Sequence, residues 1–194
     1  MKLEDKDYEF IKSEVVDLFQ RYDVHCIPIN GFELAMKMGI HLIPYSSLSK
    51  EKRRCAKSVS SDGFFVEPGD GKSYILYNDS LEYRRANMTI LHELAHGVLG
   101  HHEQMPLEQR EAEAAFFAKY AAAPPPLVHK IRPVTRNRIA DYFCISLEAA
   151  GYALEYYYKW QNQLCSTGRL KRYELLILDM FPRRLERDGT YDQS

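Results

Sequence analysis

The chemistry-bearing stretch of this chain is Thr89-Ile90-Leu91-His92-Glu93-Leu94-Ala95-His96-Gly97-Val98-Leu99-Gly100-His101, which contains the pattern His-Glu-x-x-His. On an α-helix that spacing stacks His92 and His96 on one face, one turn apart, so that both imidazoles can reach a single metal ion. Glu93, rotated by about 100°, can touch a water on that ion without being a ligand. Imidazole suits zinc, and three protein ligands leave a fourth position open for the water. Zinc lowers the pKa of such a water, and Glu93 is placed to take its proton as it attacks a carbonyl. The pattern points to metal-assisted hydrolysis of the kind metalloproteases perform.

Two plainer readings stand beside this one. In the first, the motif is an accident of a metal-free fold. In the second, the metal serves structure or sensing, and the protein acts by binding protein or DNA. A half-buried helical face carrying His and Glu at this spacing is a poor structural arrangement without a cation. A purely structural metal site has no need of a carboxylate beside an open position.

The third ligand must come from elsewhere in the chain. Pro106 opens a second helix that runs to about Ala123, where Pro124, Pro125 and Pro126 stop it. Within it, Glu113 shares a face with Phe116, Phe117 and Tyr120. A carboxylate on that bulky apolar face is buried, and a buried charge needs a partner such as a metal. Glu111 shares its face with Ala114, Ala115 and Ala118, which suits close helix packing or a half-exposed surface. Helical phase therefore favours Glu113, with Glu111, Glu108 and Glu103 as alternatives. A different pattern, His-Glu-x-x-His-x-x-Gly-x-x-His, would place its third imidazole at His102. It requires glycine at position 99, where this chain has Leu99, with Gly100 one place late. Tyr120 and His101 are the candidates for stabilising an oxyanion.

The elements that must hold these residues are legible around them. Asp79, three residues before Glu82, suggests a helix cap; Ala86, Ile90, Leu91, Leu94, Ala95 and Val98 form an apolar stripe; Gly100 ends the helix. Upstream, Tyr8, Ile11, Val15, Leu18, Phe19 and Tyr22 recur at spacings of three and four and predict an amphipathic helix over 5–22. A short helix from Phe32 to Met38 is stopped by Gly39, and Ile40 to Tyr45 is strand-like, with His41 an exposed polar position. Lys50, Lys52, Arg53, Arg54 and Lys57 form a solvated basic face. Gly63–Glu67 and Ser73–Asn78, joined by Pro68-Gly69-Asp70-Gly71, predict a hairpin. A small, mainly antiparallel sheet thus precedes the His-bearing helix, and its edge could hold an extended peptide beside the metal.

Composition narrows the setting. With 194 residues, 45% of them hydrophobic, the chain can bury a real core as one domain, or one with a small helical appendage. A net charge of −1 gives no global argument for nucleic acid or membrane affinity. The polar N-terminus is unlike a signal peptide, and no apolar run approaches membrane-spanning length. Cys26, Cys55, Cys144 and Cys165 are scattered and read as reduced, mostly buried thiols of a cytoplasmic protein.

Taken together, these motifs resemble the ImmA/IrrE family of metallo-endopeptidases. The resemblance rests on Met38-Gly39-Ile40, on the strand ending Tyr77-Asn78, on Arg85 with Thr89 to His96 and Leu99-Gly100-His101, and on Glu111-Ala112-Glu113-Ala114-x-x-Phe117-Ala118. It implies His92, His96 and Glu113 as zinc ligands and Glu93 as the catalytic base. It also implies a protein substrate, a helix-turn-helix repressor or similar regulator, often of a mobile element. Where the family has Leu-Leu-Met before a single proline, this chain has Ala121-Ala122-Ala123 before three. That difference touches the pocket wall beside the metal rather than the ligands.

Residues 135–150 look like a helix-turn-helix, with Ser146 capping its second helix and Lys130, Arg132, Arg136 and Arg138 nearby. Family members carry a similar segment within the fold, and the net charge does not favour a nucleic-acid partner. Packing against the core is the expectation, with the Tyr156-Tyr157-Tyr158 cluster facing a protein substrate. The expected architecture is α+β: a mainly helical zincin-like domain over 1–127 with a small antiparallel sheet, a helical extension over 128–182 that includes a helix at 169–181, and a flexible tail at 183–194. The sequence does not speak to oligomeric state.

Overall fold

Helix α1 (Asp5–Arg21) forms where the apolar spacing predicts it, burying Ile11, Val15, Val16, Leu18 and Phe19. The computed structural model describes residues 3–69 and 71–181, so the tail expected at 183–194 lies outside the described residues. Helix α2 (Gly31–Lys37) is capped by Asn30, whose Oδ1 accepts from the amides of Phe32 and Glu33 at 3.1 and 3.2 Å. Strand β1 (His41–Pro44) leads through a 3-10 turn into helix α3 (Lys50–Val59), and strands β2 (Gly63–Val66) and β3 (Tyr74–Tyr77) follow. The basic residues of α3 are not all solvated: Arg53 turns inward and donates to the carbonyls of Tyr45, Ser46 and Leu48.

The sheet is mixed rather than mainly antiparallel. β2 and β3 pair antiparallel as the hairpin requires, but β1 lies on the far side of β3 and runs parallel to it, with His41 opposite Tyr74. The path from β1 to β3 passes through α3 and β2, and such a crossover permits the parallel pairing that a tight turn forbids. The resulting order, β1-β3-β2, leaves one side of β2 unpaired.

Helix α4 (Tyr83–Val98) carries the His-Glu-x-x-His pattern and packs against α5 (Leu107–Ala122). Asp79 is not its cap: the helix begins after Glu82 with no side-chain cap, and Asp79 Oδ1 instead accepts from the Ser46 amide at 3.0 Å. What ties α4 to the rest is Asn87, which is 2% exposed. Its Nδ2 donates to the Ile29 carbonyl at 2.9 Å and its Oδ1 accepts from the Gly31 amide at 2.7 Å.

The chain continues into α6 (Pro125–Val128), α7 (Arg136–Tyr142), α8 (Leu147–Thr167) and α9 (Arg172–Met180). Ser146 caps α8, as the sequence suggests, and Thr135 caps α7. The basic residues of this segment have intramolecular partners. Arg136 donates to the Leu147 carbonyl, Lys130 to those of Leu178 and Phe181, and Arg138 to the Tyr142 hydroxyl. Tyr157, Ile177 and Phe181 share one apolar cluster with Val15, Phe19 and Phe117, so the core runs through helices from both ends of the chain. Tyr173 strengthens this join by donating to Glu9 at 3.0 Å.

The four cysteines are free thiols, but three of them are exposed (Cys26, Cys55 and Cys165) and Cys144 is half-buried. The expectation that they are mostly buried is corrected, because they fall on a loop and on the outer faces of helices. No helix among the described residues is long and apolar enough to cross a membrane.

Replacing Asn87 with Ala strands two buried backbone groups, each costing about 1–3 kcal/mol when unpaired. Asn87→Ala is expected to lower the unfolding free energy by about 2–5 kcal/mol, read from urea denaturation with an unchanged slope.

Candidate metal centre

Helices α4 and α5 bring three side chains to one point. Nε2 of His92 lies 3.2 Å from Glu111 Oε2, and Nε2 of His96 lies 3.7 Å from Glu111 Oε1. One ligand atom from each of the three lies within 4.8 Å of the others. Ligands about 2.1 Å from a tetrahedral ion stand about 3.4 Å apart, so the donor set fits a zinc-sized cation at its centre. The side chains also offer the right lone pairs. Burial, reinforced by the neighbouring imidazoles, drives the His96 pKa down to about 4. Burial likewise lowers that of His92, against the pull of Glu111. Both rings are therefore neutral at physiological pH, the form that binds a metal.

Glu93 sits beside this cluster, 8% exposed, and its Oε2 accepts a hydrogen bond from the Phe65 amide of β2 at 2.9 Å. Burial pushes its carboxyl up to about 8 in the absence of a cation, against the opposing effect of that amide. The contact depends on how closely β2 approaches α4. Gly97 has no Cβ, and one placed there would stand 3.1 Å from Cζ of the Phe65 ring.

The third member of the cluster differs from the sequence expectation. Glu113 is buried, at 9% exposure, as its helical phase predicts. Its partners, however, are His101 and Gln109. Its Oε2 lies 2.9 Å from His101 Nε2, and its Oε1 accepts from Gln109 Nε2 at 2.8 Å. Glu111, about 200° away around α5 and half-exposed, is the carboxylate that faces the two imidazoles. The burial of Glu113 is thus matched by protein partners, and it lies outside the group formed by His92, His96 and Glu111.

The remaining candidates separate in the same way. His102 is exposed on the rim of the cleft and outside the cluster. His101 has both ring nitrogens engaged, Nδ1 against His96 Nδ1 at 2.9 Å and Nε2 against Glu113, so neither is free for an oxyanion. Tyr120 is 3% exposed with its hydroxyl buried, and it does not line the cleft. Arg110, which the sequence reading passed over, does line it. Its position beside Glu111 becomes informative only once Glu111 is known to face the imidazoles.

The cleft has a volume of about 950 Å³ and runs between α4, α5 and β2, with Phe64, Phe65 and Glu67 on one wall and Arg110, Ala115 and Lys119 on the other. A second pocket of about 330 Å³ adjoins it, sharing Met88 and Lys119. Ala122 and Ala123 of the unusual alanine run line this second pocket opposite Tyr152 and Tyr156, while Ala121 is fully buried. The alanine run thus shapes the neighbouring pocket rather than the metal cleft.

The Peptidase M78 model, described as the IrrE N-terminal-like domain, matches residues 35–155, more than half of the chain and including all of α4 and α5. No curated protein matches the chain.

Purified protein is expected to carry close to one zinc per chain by elemental analysis. Glu111→Gln should weaken zinc by more than the roughly 10–100-fold that loss of an outer partner costs, measured by competition with a chromophoric chelator. Unchanged affinity would remove Glu111 from the ligand set.

Proposed function

This chain belongs to the IrrE N-terminal-like Peptidase M78 family, and on that premise we propose that it is a zinc-dependent endopeptidase acting on a protein substrate. His92, His96 and Glu111 hold the ion, and Glu93 is the general base. The observation that carries this reading is the pairing of a three-donor cluster with a buried carboxylate fixed beside it, at the floor of an open cleft. When bound, zinc supplies Lewis acidity toward the scissile carbonyl and makes a water acidic enough to react at neutral pH.

The protein's own residues supply the rest. Glu93 receives the proton of the attacking water on its carboxylate and passes it to the leaving amine, which needs the group to be held within hydrogen-bond reach of both. The Phe65 amide restrains Glu93 by occupying Oε2. In an antiparallel strand a residue's N–H and C=O point to the same side, so the Phe65 carbonyl shares the unpaired edge of β2 with its amide. That carbonyl can accept from the N–H of an extended peptide laid along the edge, a recurrent mode of peptide recognition. The substrate class we propose is a helix-turn-helix transcriptional repressor or a similar regulator, as the family resemblance implies.

Co-expression with a candidate helix-turn-helix repressor tests the reading. Glu93→Gln should retain zinc while slowing cleavage by about 10²–10⁴-fold, seen as loss of fragments on a gel and by mass spectrometry. A zinc-loaded Glu93→Gln protein that cuts as fast as wild type would end the proposed mechanism. Regulation unchanged by the same substitution would favour a protein that acts by binding.

A further inference from the structure

Behind the cluster lies a chain of side chains that the proposed hydrolysis does not use. His96 turns Nε2 toward Glu111 and Nδ1 toward His101 Nδ1, 2.9 Å away. His101 Nε2 meets Glu113 Oε2 at 2.9 Å, and Gln109 donates to the other oxygen of Glu113. The His101 side chain is 1% exposed and that of Glu113 11%, so water does not substitute for these partners.

One arrangement of protons gives each of these contacts a donor and an acceptor with a single hydrogen on each imidazole. A carboxylate only accepts, so His101 carries its hydrogen on Nε2 and donates it to Glu113. With that hydrogen on Nε2, Nδ1 of His101 is left to accept, and His96 donates from its own Nδ1. The lone pair of His96 is thereby left on Nε2, the nitrogen that faces Glu111 and the centre of the cluster.

The backbone brings His101 to this place. Gly100 adopts φ +65°, in the left-handed region, at the end of α4. The Gly100 amide bonds the Gly97 carbonyl at 3.3 Å and the His101 amide bonds the His96 carbonyl at 3.0 Å. That pair of bonds is a Schellman motif, which folds the chain back over the last helical turn. His101 is returned by it to the residue whose tautomer it sets.

We propose that His101 and Glu113 are positioning residues that hold His96 as the Nδ1–H tautomer, with its Nε2 lone pair aimed at the ion, and so set metal affinity without touching metal. This rests on the metal reading given under Proposed function, and it assigns Glu113 a role distinct from that of a ligand. Outer-shell partners that orient a ligating imidazole raise metal affinity by about 10–100-fold.

The test uses the full chain and zinc alone. Chelator competition gives the affinities of wild type, His101→Phe, Glu113→Leu, Glu113→Gln and the double variant His101→Phe/Glu113→Leu, with melting of each metal-free protein as a control. His101→Phe and Glu113→Leu are each expected to lose about 10–100-fold. The double variant should lose no more than about twofold beyond the weaker single variant, because Glu113 acts only through His101. Glu113→Gln, which keeps an acceptor for His101, should lose less than Glu113→Leu. Equal losses from Glu113→Leu with and without His101 would mean that Glu113 acts on the metal directly and would overturn the proposal. Single variants within about twofold of wild type would overturn it too.

A second measurement needs no variant. Long-range proton–nitrogen correlation spectra of wild-type protein should show the His96 proton on Nδ1, with and without zinc; a proton on Nε2 is the contrary result. Wild-type protein that binds no zinc would sink the metal reading itself. The metal-free spectrum would then still decide the tautomer.

Discussion

A polar group taken out of water between α4 and α5 must find a partner there, and the arrangement of the centre follows from that requirement. Glu93 and Glu113 are both buried, and each has a donor: the Phe65 amide for one, His101 and Gln109 for the other. Glu111 is left half-exposed on the cleft, against two imidazoles that burial keeps neutral. Three carboxylates within one small volume are thus kept apart in character. One is fixed by a strand amide, one lies against a buried imidazole, and one faces the two imidazoles at the cleft.

Solvent access sorts them further. A site that is to admit water and substrate needs one side open to solvent, and the half-exposed Glu111 stands on the side open to the cleft. Ala115 and Ala118, on the cleft side of α5 with Glu111, keep that boundary wide. A bulky face in the same place would narrow the cleft over Glu111. Glu113 lies instead on the buried side of the helix with Phe117 and Tyr120.

Much of this was legible in the residues. The α4 stripe, the proline brackets of α5, the cap at Ser146, and the β2–β3 hairpin all carry local signals, and all formed. The misreadings share a cause. Asp79 has the chemistry of a cap but is spent on the Ser46 amide, and β1 has a strand's composition but takes its direction from a crossover. Each depends on a partner distant in sequence, which local pattern does not encode. The surroundings of Glu113 are legible only in part: its burial follows from helical phase and Gln109 lies one turn before it, but His101 reaches it from beyond a left-handed turn at Gly100.

The turn after α4 therefore carries more of the chemistry than its length suggests. A glycine one place earlier would shift the reversal, and the imidazole following it would not return beneath His96. With Gly100 where it is, ending the helix and orienting His96 are the work of the same few hydrogen bonds. The requirement that the last carbonyls of a helix find donors is met by the segment that delivers His101. The same capping, which helices need for stability alone, here places a buried donor–acceptor chain behind one imidazole of the cluster and leaves the opposite nitrogen free to face the cleft.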